Sequence, residues 1–434
     1  MKKPNIILFI THDQGQLIGC YNSYQMPNSL KTPNLNRLAE NGVRFTNHFC
    51  TAPQCSPSRG SIQTSLYPHQ NGLMGLVNRG WTLPKHNKTL AMYLKENGYT
   101  THLIGLQHES KRRATLGYDT RSKTDADFNY LCKNMEEEIL DFFSEHKDDD
   151  TPFYVCIGTF EVHIPFKNLG VPVDPNTVKI PPFLMDNSKS RKDLSELYGA
   201  VHTVDEMIGK IIKSLESNGL LEETLFIFTT DHGIALPRAK CTMYDPGIKT
   251  SLIMSQPSSN LFNQGRFFDC MVSNIDLLPT ILDHIGSEIP KNIEGRSFLP
   301  VLKGETTSFR KKIFIEKSWH DKYDPIRAIR TEKFKYIKNY EKIATQYLLP
   351  LDISLSTRIG RFIQKRMKDT FEIPRAEEEF YDLENDPNEL TNLISDPAYY
   401  ITVGEMRTKL NNWMERTNDP LIKGKIPHPK RQKY

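Results

Sequence analysis

Cys55, Pro57, Ser58 and Arg59 fall together in the run Cys55-Ser56-Pro57-Ser58-Arg59, after the loop Thr51-Ala52-Pro53-Gln54 and before a stretch that reads as a helix. Proline suits the first helical position, which would put Ser58 and Arg59 in the first turn and Cys55 just ahead of it. Unpaired backbone N–H groups at a helix start favour negative charge, so the segment predicts an anionic reaction centre with the Cys55 thiol at its edge. A cysteine in a Ser/Pro-rich loop is more often an inert small side chain than a nucleophile. The case for chemistry at Cys55 therefore rests on what the rest of the chain brings to it.

The elements that would position such a centre can be read along the sequence. The apolar run Ile6-Ile7-Leu8-Phe9-Ile10 predicts a first buried strand of a parallel sheet and leads straight into Thr11-His12-Asp13. Thr32-Pro33 starts a helix carrying Leu35 and Leu38, and Thr89 caps another through Leu90, Met92, Tyr93 and Leu94 that stops at Gly98. Strands are expected near 100–105, 153–158 and 225–230, and a long helix over 192–218 places Val204, Met207, Ile208, Ile211 and Leu215 on one face. Alternating strands and helices predict an α/β fold, a mostly parallel sheet sandwiched by helices. Ligands bind such sheets at the carboxyl ends of the strands, where Asp13, His163 and Asp231 would emerge. Past Gly295-Arg296-Ser297 the pattern changes to short antiparallel strands near 313–315, 326–330, 333–338 and 379–383, with a last helix near 402–415. A catalytic domain over residues 1–305 and a smaller C-terminal α+β domain over 306–434, bearing an antiparallel sheet, are expected. The irregular, basic stretch 340–375 is read as a loop over the substrate.

Composition sets bounds without choosing a function. With 434 residues, 38% hydrophobic and 25% charged, the chain can bury a large core. A net charge of +4 gives no case for a nucleic-acid partner. The opening Met1-Lys2-Lys3-Pro4 and the short apolar run after it are not expected to act as an export signal, and no stretch of the sequence is long and apolar enough to be expected to span a membrane. Seven cysteines, without metal-knuckle spacing, are expected to be reduced thiols of a cytoplasmic enzyme.

The run from Cys55 to Arg59 resembles the Cys-x-Pro-Ser-Arg signature of the type I sulfatases, in which that cysteine is oxidised to formylglycine and its hydrated aldehyde is the nucleophile. Further landmarks similar to that family follow in order: Tyr67-Pro68-His69, Gly98-Tyr99-Thr100 before Gly105, His163-Ile164-Pro165, Thr230-Asp231-His232-Gly233, Asp276-Leu277-Leu278-Pro279-Thr280, and Phe380-Tyr381-Asp382-Leu383 with Asn385-Asp386-Pro387. Several ordered motifs multiply where one alone stays weak. The resemblance implies an alkaline-phosphatase-like fold, a maturation enzyme that converts Cys55, and one divalent metal held by His12, Asp13, residue 55, Asp231 and His232. Calcium is the metal it implies, with magnesium or manganese open. It also implies that Arg59 orients residue 55, Lys240 grips the sulfate, His163 protonates the leaving atom and His108 acts as base in release.

Two positions depart from the family pattern. His12 stands where most sulfatases have an aspartate, so it is either a metal ligand or a hydrogen-bonding neighbour of one; two imidazoles would favour a softer or smaller ion than calcium. Leu106 stands where most have a lysine, which leaves Lys111, Arg112 or Arg113 to fold back or the charge to be missing. Within the family, Cys55 to Arg59 followed by His69-Gln70-Asn71-Gly72 and Gly75-Leu76, together with Asp231-His232-Gly233-Ile234 and Pro237 before Lys240, looks like the sulfamidase group, the heparan N-sulfatases. The implied substrate is a sulfated saccharide carrying N-sulfated glucosamine, with His320 and Asp321 as sugar contacts and Trp319 and Arg327 beside them. An O-sulfatase on another glycan, a phosphonate monoester or phosphodiester hydrolase, and an inactive sulfosugar-binding protein remain the alternatives.

Overall fold

The computed structural model describes residues 3–21, 30–122, 130–344 and 373–429. Its main sheet has eight strands: β1 (Asn5–Thr11), β2 (Val43–Phe45), β3 (Thr100–Gly105), β4 (Thr120–Arg121), β5 (Phe153–Gly158), β6 (Thr224–Thr230), β7 (Leu252–Ser255) and β8 (Arg266–Phe268). The spatial order is β8-β2-β7-β6-β1-β5-β3-β4. All neighbours run parallel except β7, which is antiparallel to β2 and β6.

Side-chain alternation explains why this sheet must be covered twice. Along β1, Ile6, Leu8 and Ile10 enter one core while Ile7 and Phe9 enter the other, all at 0% exposure. The first core is closed by α2 (Cys55–Thr64), α3 (Leu90–Glu96) and α6 (Leu277–His284). The second is closed by α1 (Pro33–Glu40), α4 (Cys132–Glu145) and the 30-residue α5 (Ser188–Ser217). At about 1.5–3 kcal/mol for each fully buried large aliphatic side chain, the central strands dominate the hydrophobic stabilisation. No helix among the described residues is long and apolar enough to cross a membrane.

The C-terminal region forms an antiparallel sheet in the order β9 (Lys312–Trp319), β10 (Tyr323–Thr331), β11 (Phe334–Asn339) and β12 (Glu378–Asp382), followed by α7 (Tyr400–Arg416). One face, with Phe314, Ile329, Tyr336 and Phe380, joins α7 in the first core. The other, with Ile313, Ile315, Ala328 and Ile337, packs on Phe49, Met243 and Met271 of the larger region. Most of the stretch expected as a loop over the substrate, residues 345–372, lies outside the described residues.

Register brings the chemistry to one edge. Ile10 pairs with Gly158, Thr11 with Thr230 and Gly105 with Gly158, so β1, β3, β5 and β6 end side by side. Glycine is required where β3 and β5 close up. A Cβ on Gly105, whose φ is +85°, would meet the Gly158 carbonyl oxygen at 2.3 Å.

Candidate active site

The nucleophile helix starts two residues earlier than the proline suggests. Gln54 is the N-cap, Cys55 is the first residue of α2 and Pro57 sits third. The first-turn N–H groups have no intrahelical partner, so a proline there costs no hydrogen bond and the helix need not wait for it. Two side chains fix this start. The Gln54 amide donates to the Trp319 carbonyl at the end of β9 (2.7 Å), and the Asn274 amide accepts from Thr51 N–H (3.2 Å) while donating to Ser58 Oγ (3.0 Å). Ser58 Oγ in turn donates to the Asp231 carbonyl in a short bond.

Asp13 and Asp231 leave β1 and β6 and turn towards Cys55. Asp13 takes a left-handed φ of 52°, a conformation aspartate tolerates better than most residues, and its N–H donates to Asp231 Oδ1 (3.0 Å). His232 donates from Nδ1 to the Gly233 carbonyl (2.9 Å), which turns Nε2 towards Asp13 Oδ1 (3.0 Å) and Cys55 Sγ (3.4 Å). The Nδ1 of His12 lies 3.3 Å from Asp13 Oδ1 and 3.2 Å from Asp231 Oδ2. Arg59 lies inside the protein, with Nε on Asp231 Oδ2 (3.2 Å) and Nη2 on the Thr11 carbonyl (3.4 Å). Lys240 donates to both Asp13 oxygens, at 2.9 and 2.6 Å.

Burial raises the cost of every charge here, and the arrangement answers with opposite charge. Asp13 is held well below the usual carboxylate range against burial, by Lys240 first and then His163 and His232. Asp231 is lowered in the same way by His12, His232 and Arg59. Burial would depress His12, but Asp231 and Cys55 outweigh it and raise it to about 9. The Cys55 thiol, which burial alone would push up, is brought far down by Lys240 and His12. Position 55 is thus electropositive, as the helix start predicts.

The donor set suits a divalent cation. Asp13, Cys55, Asp231 and His232 offer polar atoms all within 4.8 Å of one another, and His12, Asp13, Cys55 and His163 form a second such group. Two anionic carboxylates with an imidazole nitrogen turned inward are metal-ligating chemistry.

His163 and His108 lie at the open side. The His163 side chain is 26% exposed, donates from Nδ1 to the Ile164 carbonyl (2.6 Å) and directs Nε2 towards Asp13 Oδ2 at 3.7 Å. Burial and Lys240 depress it to about 4. His108 is half-buried, its ring centroid 5.0 Å from that of His12. His320 lies at the end of β9 with Nδ1 3.3 Å from Asp321 Oδ2, and Asp321 is bound by Arg79 (2.8 Å from Nε). Burial opposes a charge on His320, but Cys241, the residue after Lys240, and Asp321 raise it to about 9.

Two suggested sugar contacts are engaged elsewhere. Arg327 is fully buried on Asp419 (2.5 and 3.0 Å) and the Lys317 carbonyl, and Trp319 Nε1 donates to the Ile426 carbonyl (3.0 Å). Leu106, 1% exposed, packs in the second core. Lys111 and Arg112 are exposed, and Arg113 lies over the Tyr130 ring at 5.1 Å. Sequence reasoning missed Gln54, Ser58 and Asn274 as supports. Ser58 was inside the signature, but Asn274 had no signal beyond its place two residues before Asp276.

Comparison with known proteins agrees with this geometry. An N-sulphoglucosamine sulphohydrolase C-terminal family matches residues 237–354. Human N-sulphoglucosamine sulphohydrolase is 27% identical over 96% of this chain and 91% of its own length, and an ulvan-active sulfatase of Formosa agariphila is 26% identical over 96% and 76%. A solved 2-O GAG sulfatase superposes with a TM-score of 0.76 at 20% identity, covering 99% of this chain and 96% of that one. A protein solved with its substrate D-glucosamine-2-N,6-O-disulfate gives 0.73 at 20% identity, covering 96% and 99%. The Sulfatase family itself matches residues 4–287, the whole of the main sheet and its site, and the chain is therefore a member of the sulfatase family.

Proposed function

We propose that this sulfatase removes sulfate from sulfated saccharides, with the N-sulfate of glucosamine as its target, and that residue 55 acts as a formylglycine made from Cys55 by a maturation enzyme. One observation carries the nucleophile assignment: Cys55 Sγ lies at the first residue of α2, 3.4 Å from His232 Nε2 and 3.9 Å from Asp13 Oδ1, inside the Cys-x-Pro-Ser-Arg run. The match to the sulphohydrolase C-terminal family and the similarity to human N-sulphoglucosamine sulphohydrolase support the N-sulfate. Similarity to N-acetylglucosamine-6-sulfatases keeps an O-sulfate as the second reading.

Asp13, Asp231, His232 and residue 55, with His12, would hold a divalent ion, which supplies Lewis-acid polarisation of the sulfuryl oxygens. Arg59 holds Asp231 and the end of β1, and so sets where the residue 55 oxygen points. That oxygen bonds to sulfur as the sulfur–nitrogen bond breaks. Lys240, 2.6 Å from Asp13, offers a cation to the charge that spreads over the sulfuryl oxygens. His163 has Nδ1 committed to Ile164, so Nε2 is the atom that passes a proton to the leaving nitrogen. Its depressed affinity makes it neutral at rest, and the arriving sulfate anion favours its protonation. His108 then takes a proton from the second hydroxyl of residue 55 as sulfate departs.

The test is a substrate panel: N-sulfoglucosamine, 6-O- and 2-O-sulfated glucosamine or uronate disaccharides, and an aryl phosphodiester, with sulfate and free amine measured together. Equal release of sulfate and amine from N-sulfoglucosamine is expected. Sulfate from an O-sulfated sugar alone would establish the second reading, and preferred hydrolysis of the phosphodiester would refute both.

A further inference from the structure

The side chains on either side of Cys55 are each tied to a segment that leads, two residues later, to the same ion pair. Before Cys55, the Gln54 amide donates to the Trp319 carbonyl (2.7 Å), and Asp321 follows in the hairpin between β9 and β10. After Cys55, Ser56 Oγ accepts from the N–H of Val77 (3.1 Å), the first residue of a 3-10 turn that ends at Arg79. Arg79 Nε then donates to Asp321 Oδ1 (2.8 Å), with Nη2 on the same oxygen. Two residues of chain span at most about 7 Å, so the pair is held close to residue 55 from both sides.

An exposed ion pair is ordinarily worth little. This one is lopsided, because the Arg79 side chain is 48% exposed and that of Asp321 only 14%. Asp321 is also engaged by His320, whose Nδ1 lies 3.3 Å from Oδ2. The carboxylate is thus occupied on its inner side, while Nη1 of Arg79 makes no hydrogen bond to any described residue. More positive charge stands beside it. Lys322 in the hairpin is exposed, and the exposed Lys425 lies over the Tyr323 ring at 5.0 Å.

We propose that Arg79 forms a second anion subsite, which takes a second sulfate or a carboxylate carried by the same saccharide. The inference rests on the sulfatase reading of the site and deepens it: the substrate class is a saccharide with at least two anionic groups. A guanidinium anchored along one edge by a carboxylate presents its other N–H groups in a fixed plane, which suits sulfate or carboxylate oxygens. Lys240 meets the sulfate that is removed, and Arg79 meets the anionic group that stays.

The matured, metal-loaded enzyme is assayed for sulfate release from N-sulfoglucosamine, 6-O-sulfoglucosamine, the N,6-O-disulfate and a disaccharide of N-sulfoglucosamine with a uronate. The parent is expected to favour a doubly anionic sugar over its singly sulfated counterpart by about tenfold in kcat/KM, mainly through KM, the scale of one hydrogen bond to a charged group. Preference for the disulfate identifies the second group as sulfate, and preference for the disaccharide identifies it as carboxylate. Arg79→Gln is expected to erase most of that preference. Arg79→Lys, which keeps the charge without the planar fork, is expected to retain part of it. A parent that shows no such preference would overturn the proposal. So would a loss in Arg79→Gln that falls equally on singly and doubly anionic sugars, because Arg79 would then act only by holding Asp321. Should Arg79→Gln fail to fold, salt decides on the parent: the preference is expected to shrink as ionic strength rises, and a preference that salt leaves unchanged would overturn the subsite. A parent that releases no sulfate from any of these sugars would instead overturn the sulfatase reading beneath the proposal, and the proposal with it.

Discussion

At the scale of single residues, the site is a balance of charges that would each be costly alone. Removing one is therefore expected to show in the others. Lys240 makes two charge-assisted bonds to Asp13 and is itself only 1% exposed. Lys240→Met should lower kcat/KM for a sulfated sugar by about 10²- to 10³-fold, the scale of one lost transition-state donor. It should also leave Asp13 less neutralised, so that a divalent ion is held at least as tightly as before. Steady-state kinetics beside metal titration check both, and a parallel loss of metal would place Lys240 in the structural support of the ion. The residue types at this centre were readable in the sequence because strands of an α/β sheet end where ligands bind. What Arg59 does was less readable. The resemblance implied that it orients residue 55, and the fold places its guanidinium on Asp231 and the Thr11 carbonyl, partners the sequence did not reveal.

At the scale of elements, the start of α2 is held from outside the helix, by β9 through Gln54 and by the turn before α6 through Asn274. Asn274→Ala would leave Thr51 N–H and Ser58 Oγ short of a partner in a buried setting, which costs about 1–3 kcal/mol. The expected result is a lower denaturant midpoint with unchanged m-value and a reduced kcat, since residue 55 loses its fixed position. Strands and helices with strong periodicity, such as β1 and α5, agree with their sequence patterns closely. The helix start at Cys55 does not, because a first-turn N–H has no partner in any register and Pro57 therefore sets no boundary. The sequence also could not tell which C-terminal polar residues are held in the core. His320 and Asp321 lie together at the end of β9, whereas Arg327, eight residues after Trp319, points inward to Asp419. Alternation along a strand decides this, and both faces of the antiparallel sheet are covered.

At the scale of the whole molecule, the C-terminal sheet and α7 are built into the same cores as the main sheet, and the buried Arg327–Asp419 pair ties β10 to the segment after α7. Asp419→Ala strands a buried guanidinium and should cost about 3–5 kcal/mol in chemical denaturation, far more than loss of a surface pair. Stability should also respond to pH through His48, fully buried beside Thr250 and depressed by burial to about 3. Its unfolded value is near 6.5, so the unfolded chain binds more protons between the two, and stability falls as pH drops from about 6.5 towards 3. His48→Asn should flatten that part of a melting-temperature profile, and an unchanged slope would assign it to other groups. The central claim, that residue 55 is an oxidised cysteine that attacks sulfur, is tested most directly by one paired measurement. The enzyme co-expressed with a formylglycine-generating maturase, and its Cys55→Ala variant, are compared for peptide mass at residue 55 and for sulfate release from N-sulfoglucosamine and O-sulfated sugars. The aldehyde mass and turnover are expected in the parent and, in the variant, loss of at least about 10³-fold in kcat with an unchanged melting temperature. Full sulfate release from an enzyme whose residue 55 remains a thiol or is alanine would contradict the claim.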